Sequence, residues 1–207
     1  MLRQKWTKVV VFLICLAPAA WLARNAWMGD LTVNPLEYIT HFTGDWAIRI
    51  LCATLAITPL RKLLRQPDLI RFRRMFGLFT FFYASMHFLT WLWLDKLFDL
   101  SEMLKDVAKR PFITAGMTAL LAMLPLAITS TKGWIRRMGG KRWQRLHRLV
   151  YLSGIAAVVH YYWLVKSDIR LPLLYGAIVA LALGYRLAAN LVARAGMIPA
   201  KKPAASF

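Results

Sequence analysis

Long apolar runs separated by short charged segments set the pattern of this chain. Six runs stand out, at 9–27, 44–60, 75–94, 112–129, 147–165 and 171–192. Each approaches the length of about 20 residues that carries a helix across a bilayer core. The pattern predicts an all-α protein, a polytopic bundle of six transmembrane helices occupying 1–194. The remainder, 195–207, contains the Pro- and Ala-bearing IPAKKPAASF and reads as a disordered tail. The third and fifth runs are the cleanest. The first begins after Arg3, Lys5 and Lys8 and contains the small residues APAA at 17–20, as a signal peptide does. Its apolar character continues through Trp21 and Leu22, so a retained anchor is expected.

Composition agrees with a membrane protein: 59% of the residues are hydrophobic and the mean hydropathy is +0.48. The net charge of +19 does not point to nucleic acid, because the cations lie between apolar runs and build no groove. They read instead as topology. Twenty of the 28 cations fall at the amino terminus, in the 61–74 and 132–148 loops and at the carboxyl end, counting Arg186 there; eight of the nine acids fall in the other segments. By the positive-inside rule both termini are cytoplasmic. Cys15 and Cys52 sit inside apolar runs, with no CxxC or CxxCH to suggest zinc or covalently attached haem. The longest outer segments, 27–43 and 95–111, are too short for a nucleotide-binding domain, and neither GxGxxG nor GxxxxGK[ST] occurs.

Chemistry rests on four histidines, His41, His87, His147 and His160. His87 lies thirteen residues beyond Arg74, and His160 thirteen beyond His147, each step about 20 Å along a helix. The third and fifth runs point the same way, so His87 and His160 share one depth and can clamp one haem iron from both sides. Ala84, Ser85, Ser153, Gly154, Ala156 and Ala157 would leave room for a flat macrocycle. His147 lies about 140° around a continuous helix from His160. It faces another way unless the helix is locally rewound, and reads either as a ligand or cofactor contact on the cytoplasmic side or as an interfacial histidine. Arg73, Arg74, Arg142, Arg145 and Arg148 are near it and suit a phosphate or propionate, or lipid headgroups. Arg49, within an apolar run, pairs with a propionate or snorkels outward. His41 belongs to an outer segment and solvent.

The segments TGDWAIRILCATLAITPLRK, RRMFGLFTFFYASMHFLTWLWLD, KRPFITAGMTALLAMLPLAITS and GGKRWQRLHRLVYLSGIAAVVHYYW together resemble the MsrQ (YedZ) family. These are membrane subunits of the bacterial periplasmic methionine sulfoxide reductase system, within the ferric-reductase-like transmembrane superfamily. The resemblance covers essentially the whole chain. It implies an inner-membrane protein with haem b and FMN, whose haem ligands are His87, His147 and His160. It implies electrons taken from membrane quinones; a flavin reductase is a candidate partner beside them. They pass to a soluble molybdenum-containing subunit that repairs oxidised methionine. Related oxidases carry two histidines on each of the two helices, whereas the third run here has only His87, which leaves the inner site open to FMN, quinone or an unusually ligated haem.

The expected role is thus an electron-transfer subunit rather than a complete enzyme. The rivals are a free-standing metal reductase of the same fold and a cofactor-free transporter or scaffold. The segment DKLFDLSEMLKDVAKRP at 95–111 reads as an amphipathic interfacial helix that either caps the bundle or offers Asp99, Glu102 and Asp106 to a docking partner.

Overall fold

The computed structural model describes residues 5–195, and no strand occurs among them. The expected tail at 195–207 lies outside the described residues except for Ala195. The helices are α1 (Lys5–Met28), α2 (Pro35–Leu63), α3 (Ile70–Leu89), α4 (Leu100–Lys109), α5 (Pro111–Ile128), α6 (Lys132–Met138), α7 (Gly140–Leu146), α8 (Leu149–Leu164) and α9 (Arg170–Arg194). A π-helical turn at Thr90–Asp95 extends α3.

Among the described residues four stretches are long and apolar enough to cross a membrane: α1, α3 with its flanks (Pro67–Asp95), α5 and Arg170–Ala189 of α9. Two of the six expected spans fall short for different reasons. The middle of α2 carries Asp45 and Arg49, which lower its apolarity although the helix has 29 residues. The chain turns at His147 and Arg148, so α8 starts at Leu149 and has 16 residues, about 24 Å of rise against a core of about 30 Å. The 132–148 loop is itself folded into α6 and α7.

α2 lies between two cores. One face, Ile48, Leu51, Cys52 and Leu55, packs on Tyr175, Val179 and Ala182 of α9. Ile50, on the other face, joins Cys15 and Ala19 of α1 with Phe79 and Tyr83 of α3. Pro18 interrupts the α1 hydrogen-bond ladder, as a helix-interior proline must. The Tyr83 hydroxyl enters that turn: it donates to Cys15 O at 2.7 Å and accepts from Ala19 N at 3.1 Å. The backbone groups that a broken turn would leave unpaired are thereby satisfied.

The segment before α5 forms the amphipathic helix α4, but two of its acids serve the fold. Asp99 caps α4, accepting from Ser101 N and Glu102 N. Asp106 is buried and pairs with Lys96 at 2.7 Å and Arg110 at 3.4 Å. Of the three acids considered for docking, only Glu102 is free of such a structural duty to backbone or buried cation; it pairs with exposed Lys105.

Candidate functional site

α3 and α8 bring His87 and His160 together, with ring centres 5.9 Å apart and planes at 80°. Each ring is held by the backbone of a neighbouring helix. His87 Nδ1 lies 2.9 Å from Thr40 O on α2, and His160 Nδ1 lies 2.6 Å from Phe112 O on α5. A carbonyl oxygen only accepts, so Nδ1 carries the proton in both rings and each Nε2 keeps its lone pair. That carbonyl partner fixes tautomer and orientation, as it does behind most metal-bound imidazoles.

One turn after each carbonyl stands a glycine. A Cβ built on Gly44 would lie 3.1 Å from His87 Nδ1 and Cε1, and one on Gly116 would lie 2.8 Å from His160 Nδ1. The pattern is the same twice: a carbonyl, then a glycine four residues on, then a histidine from a neighbouring helix filling the missing side chain. Sequence reasoning missed both glycines. The available signal was their position near the start of the second and fourth apolar runs, level with the deep histidines.

The rings border a cavity of about 340 Å³ whose deeper walls include Leu51, Ala84, Leu120, Met123 and Ala157. Its polar margin holds His41, Asp45, Asp95 and Arg110. Ala84 and Ala157 thus open space here, whereas Gly154 faces Leu55 and Val179 and serves helix packing. Among the described residues no group of three metal-ligand side chains exists. Two imidazoles in an apolar chamber are too few ligands for a bare ion, but they suit a metal that arrives with its equatorial ligands in a flat ring. Two metal–imidazole bonds of about 2.0 Å, plus roughly a ring radius at each end, separate ring centres by roughly 6 Å. The residues therefore fit a haem.

The other expected site residues lie elsewhere. Arg49 donates to Asp45 at 3.2 Å and to the Tyr175 hydroxyl at 3.3 Å, with its guanidinium 5.3 Å from the Trp46 ring centre. It is half-exposed and absent from the cavity wall. His147 ends α7 rather than entering α8, stacked on Trp143 with ring centres 3.7 Å apart. Its Nδ1 donates to Trp143 O at 3.1 Å, and the ring also lies within reach of the Leu126 backbone. Arg73 is partly buried within electrostatic range of His147, whereas Arg74, Arg142, Arg145 and Arg148 are exposed.

Comparison with known proteins gives a consistent picture. Residues 43–158 match the family described as ferric reductase like transmembrane component. The chain is 52% identical over 182 residues to the protein-methionine-sulfoxide reductase heme-binding subunit MsrQ of Herminiimonas arsenicoxydans, covering 87% of this chain and 84% of that one. It is 51% identical to the protein of that name from Xanthomonas campestris pv. campestris strain B100, over 90% and 88% of the two chains. The corresponding figures for the Caulobacter vibrioides protein are 49%, 84% and 83%. No solved structure matches the chain.

Proposed function

This chain belongs to the MsrQ family, within the ferric-reductase-like transmembrane proteins, and from that premise we propose that it is the haem-b-carrying electron-transfer subunit of a periplasmic methionine sulfoxide reductase. The observation that carries the reading is the facing pair His87 and His160. Their Nε2 lone pairs would hold the iron while Thr40 and Phe112 carbonyls hold each ring in register. A haem bound there supplies a one-electron iron couple. The chain's own work is to position it, to keep water out with Leu51, Leu120 and Met123, and to leave one polar edge near Asp45, Asp95 and Arg110.

On this reading 1–194 form one domain of six spans in the inner membrane, with α2 and α8 as the second and fifth, both termini cytoplasmic and 195–207 a tail. The Asp45–Arg49 pair, one turn apart on α2, lessens the cost of placing those charges in a span. His147 and the partly buried Arg73 beside it would offer an inner contact for FMN, quinone or a second haem. Exposed Arg74, Arg145 and Arg148 would draw a phosphate toward it. Electrons would enter from quinones or a flavin reductase and leave to the molybdenum-containing partner at the opposite face.

The test is the absorption spectrum and haem content of the purified chain beside His87→Ala and His160→Ala. Each variant should lose the haem or convert it to a high-spin form, because it would remove one of the two imidazoles that would hold the iron. A colourless wild-type protein, or a six-coordinate low-spin spectrum in His87→Ala at full haem content, sinks the assignment.

A further inference from the structure

A second cluster lies outside the lining of the cavity. Arg186 of α9 is only 8% exposed, although its sequence position suggested a cation of the carboxyl-terminal flank. Its Nη2 donates to Leu55 O at 2.9 Å and to Thr58 Oγ1 at 3.1 Å on α2. Its guanidinium lies 5.3 Å from the centre of the Tyr151 ring on α8. Nε and Nη1 are buried without any partner. Leu51 lines the cavity, whereas Leu55, one turn farther along α2, does not.

A guanidinium stays protonated in proteins, so this site cannot relieve itself by losing its proton. Carbonyl, hydroxyl and aromatic face stabilise the charge but do not neutralise it. Among the described residues no carboxylate forms an ion pair with Arg186; the ion pairs fall on other cations. The neighbourhood adds positive charge instead, since Arg73 of α3 feels both Arg186 and Arg61. Between Asp45 and Asp95 the sequence offers only Asp68, and between Asp106 and Asp168 none. A buried cation with free donors, a second cation beside it and no acid bound to it lacks an anionic partner.

We propose that Arg186, with Tyr151 as a wall and Arg73 as a second cation in electrostatic range, forms a buried oxyanion site that takes the carboxylate or phosphate of a non-protein molecule. Guanidinium groups pair with both oxyanions through charge-assisted hydrogen bonds. The same phosphate chemistry has two sources, a soluble cofactor reaching in from the inner face or the headgroup of an anionic phospholipid. The site lies apart from the His87–His160 cavity, which neither arginine lines, and its soluble-cofactor source rests on the reading of Arg73 as an inner cofactor contact.

The test uses the full chain in phosphatidylcholine nanodiscs as wild type, Arg186→Met and Arg186→Lys. Thermal midpoints and affinities are measured with FMN against riboflavin, which lacks the phosphate, and with phosphatidylglycerol mixed into the disc. A cofactor site responds to FMN and not riboflavin; a lipid site responds to phosphatidylglycerol. In either case Arg186→Met should weaken the responding probe at least tenfold, and without probe it should be no less stable than wild type, since it removes an uncompensated buried charge. Arg186→Lys should respond with intermediate affinity, which keeps the test informative if the Met variant does not fold. Equal affinities in wild type and Arg186→Lys, or a midpoint loss in Arg186→Met that is identical with and without every probe, would mean that the arginine is only structural.

Discussion

The tightest contact at the histidine pair is the place to test it. Gly116→Ala puts a carbon 2.8 Å from His160 Nδ1, closer than real Cβ atoms come, and the ring cannot yield without stretching its 2.6 Å bond to Phe112 O. Overpacking of this kind costs about 1–3 kcal/mol, and the strained hydrogen bond adds about 0.5–1.5 kcal/mol. Alanine is the better helix former by up to about 1 kcal/mol, so the net loss is on the order of 1–3 kcal/mol. Gly44→Ala meets His87 at 3.1 Å, where a shift of a few tenths of an ångström suffices, and should cost less. Gly77→Ala, whose new carbon would meet only Thr54 Cγ2 at 3.8 Å, is the control and should be neutral or stabilising. The assay is haem per polypeptide, spin state and thermal midpoint of the three purified variants. Gly116→Ala should lose haem or gain a high-spin fraction, Gly44→Ala should be intermediate, and Gly77→Ala should match wild type. A wild-type spectrum and haem content in Gly116→Ala, or greater damage in Gly44→Ala, would refute the role given to these glycine contacts.

Tyr83→Phe removes the hydroxyl that bridges Cys15 O and Ala19 N; it should destabilise the protein by about 1–3 kcal/mol, and limited proteolysis should show α1 released first. The ion pair between Asp106 and Lys96 makes the α4 region pH-sensitive. The Lys96 partner holds the Asp106 carboxyl below its ordinary range, so that contribution is present above the unfolded value and is lost as acid carries the pH down through the depressed folded one. Lys96 is raised by Asp106, so its contribution is lost only as the pH rises through its elevated value; hydrogen exchange of α4 should therefore increase at both extremes, and Asp106→Asn should abolish the acid limb. Reporter fusions at the carboxyl terminus should be active in the cytoplasm; a periplasmic-active reporter there would reverse the bundle in the membrane. Glu102→Gln should slow reoxidation by the sulfoxide reductase partner while leaving haem content unchanged, and an unchanged rate would remove α4 from the docking surface.

The apolar runs and the placement of charge were enough to specify a helical membrane protein, because helix length and hydropathy are local properties. The meeting of His87 and His160 was also legible, since residue rise along two parallel helices translates sequence offset into depth. What the sequence could not give is anything that depends on which faces touch. Gly44 and Gly116 have meaning only once α2 lies on α3 and α5 on α8, with an imidazole where each side chain is missing. Asp99 and Asp106 looked like surface acids until the turn before α4 made one a cap and the other a buried partner. His147 depended on a break at 147–148 that hydropathy does not register. Arg186 read as a flank cation because charge counting is one-dimensional. Its burial and its two unpaired nitrogens were decided by Leu55, Thr58 and Tyr151, which reach it from helices distant in sequence, and contacts of that kind exist only in the packed bundle.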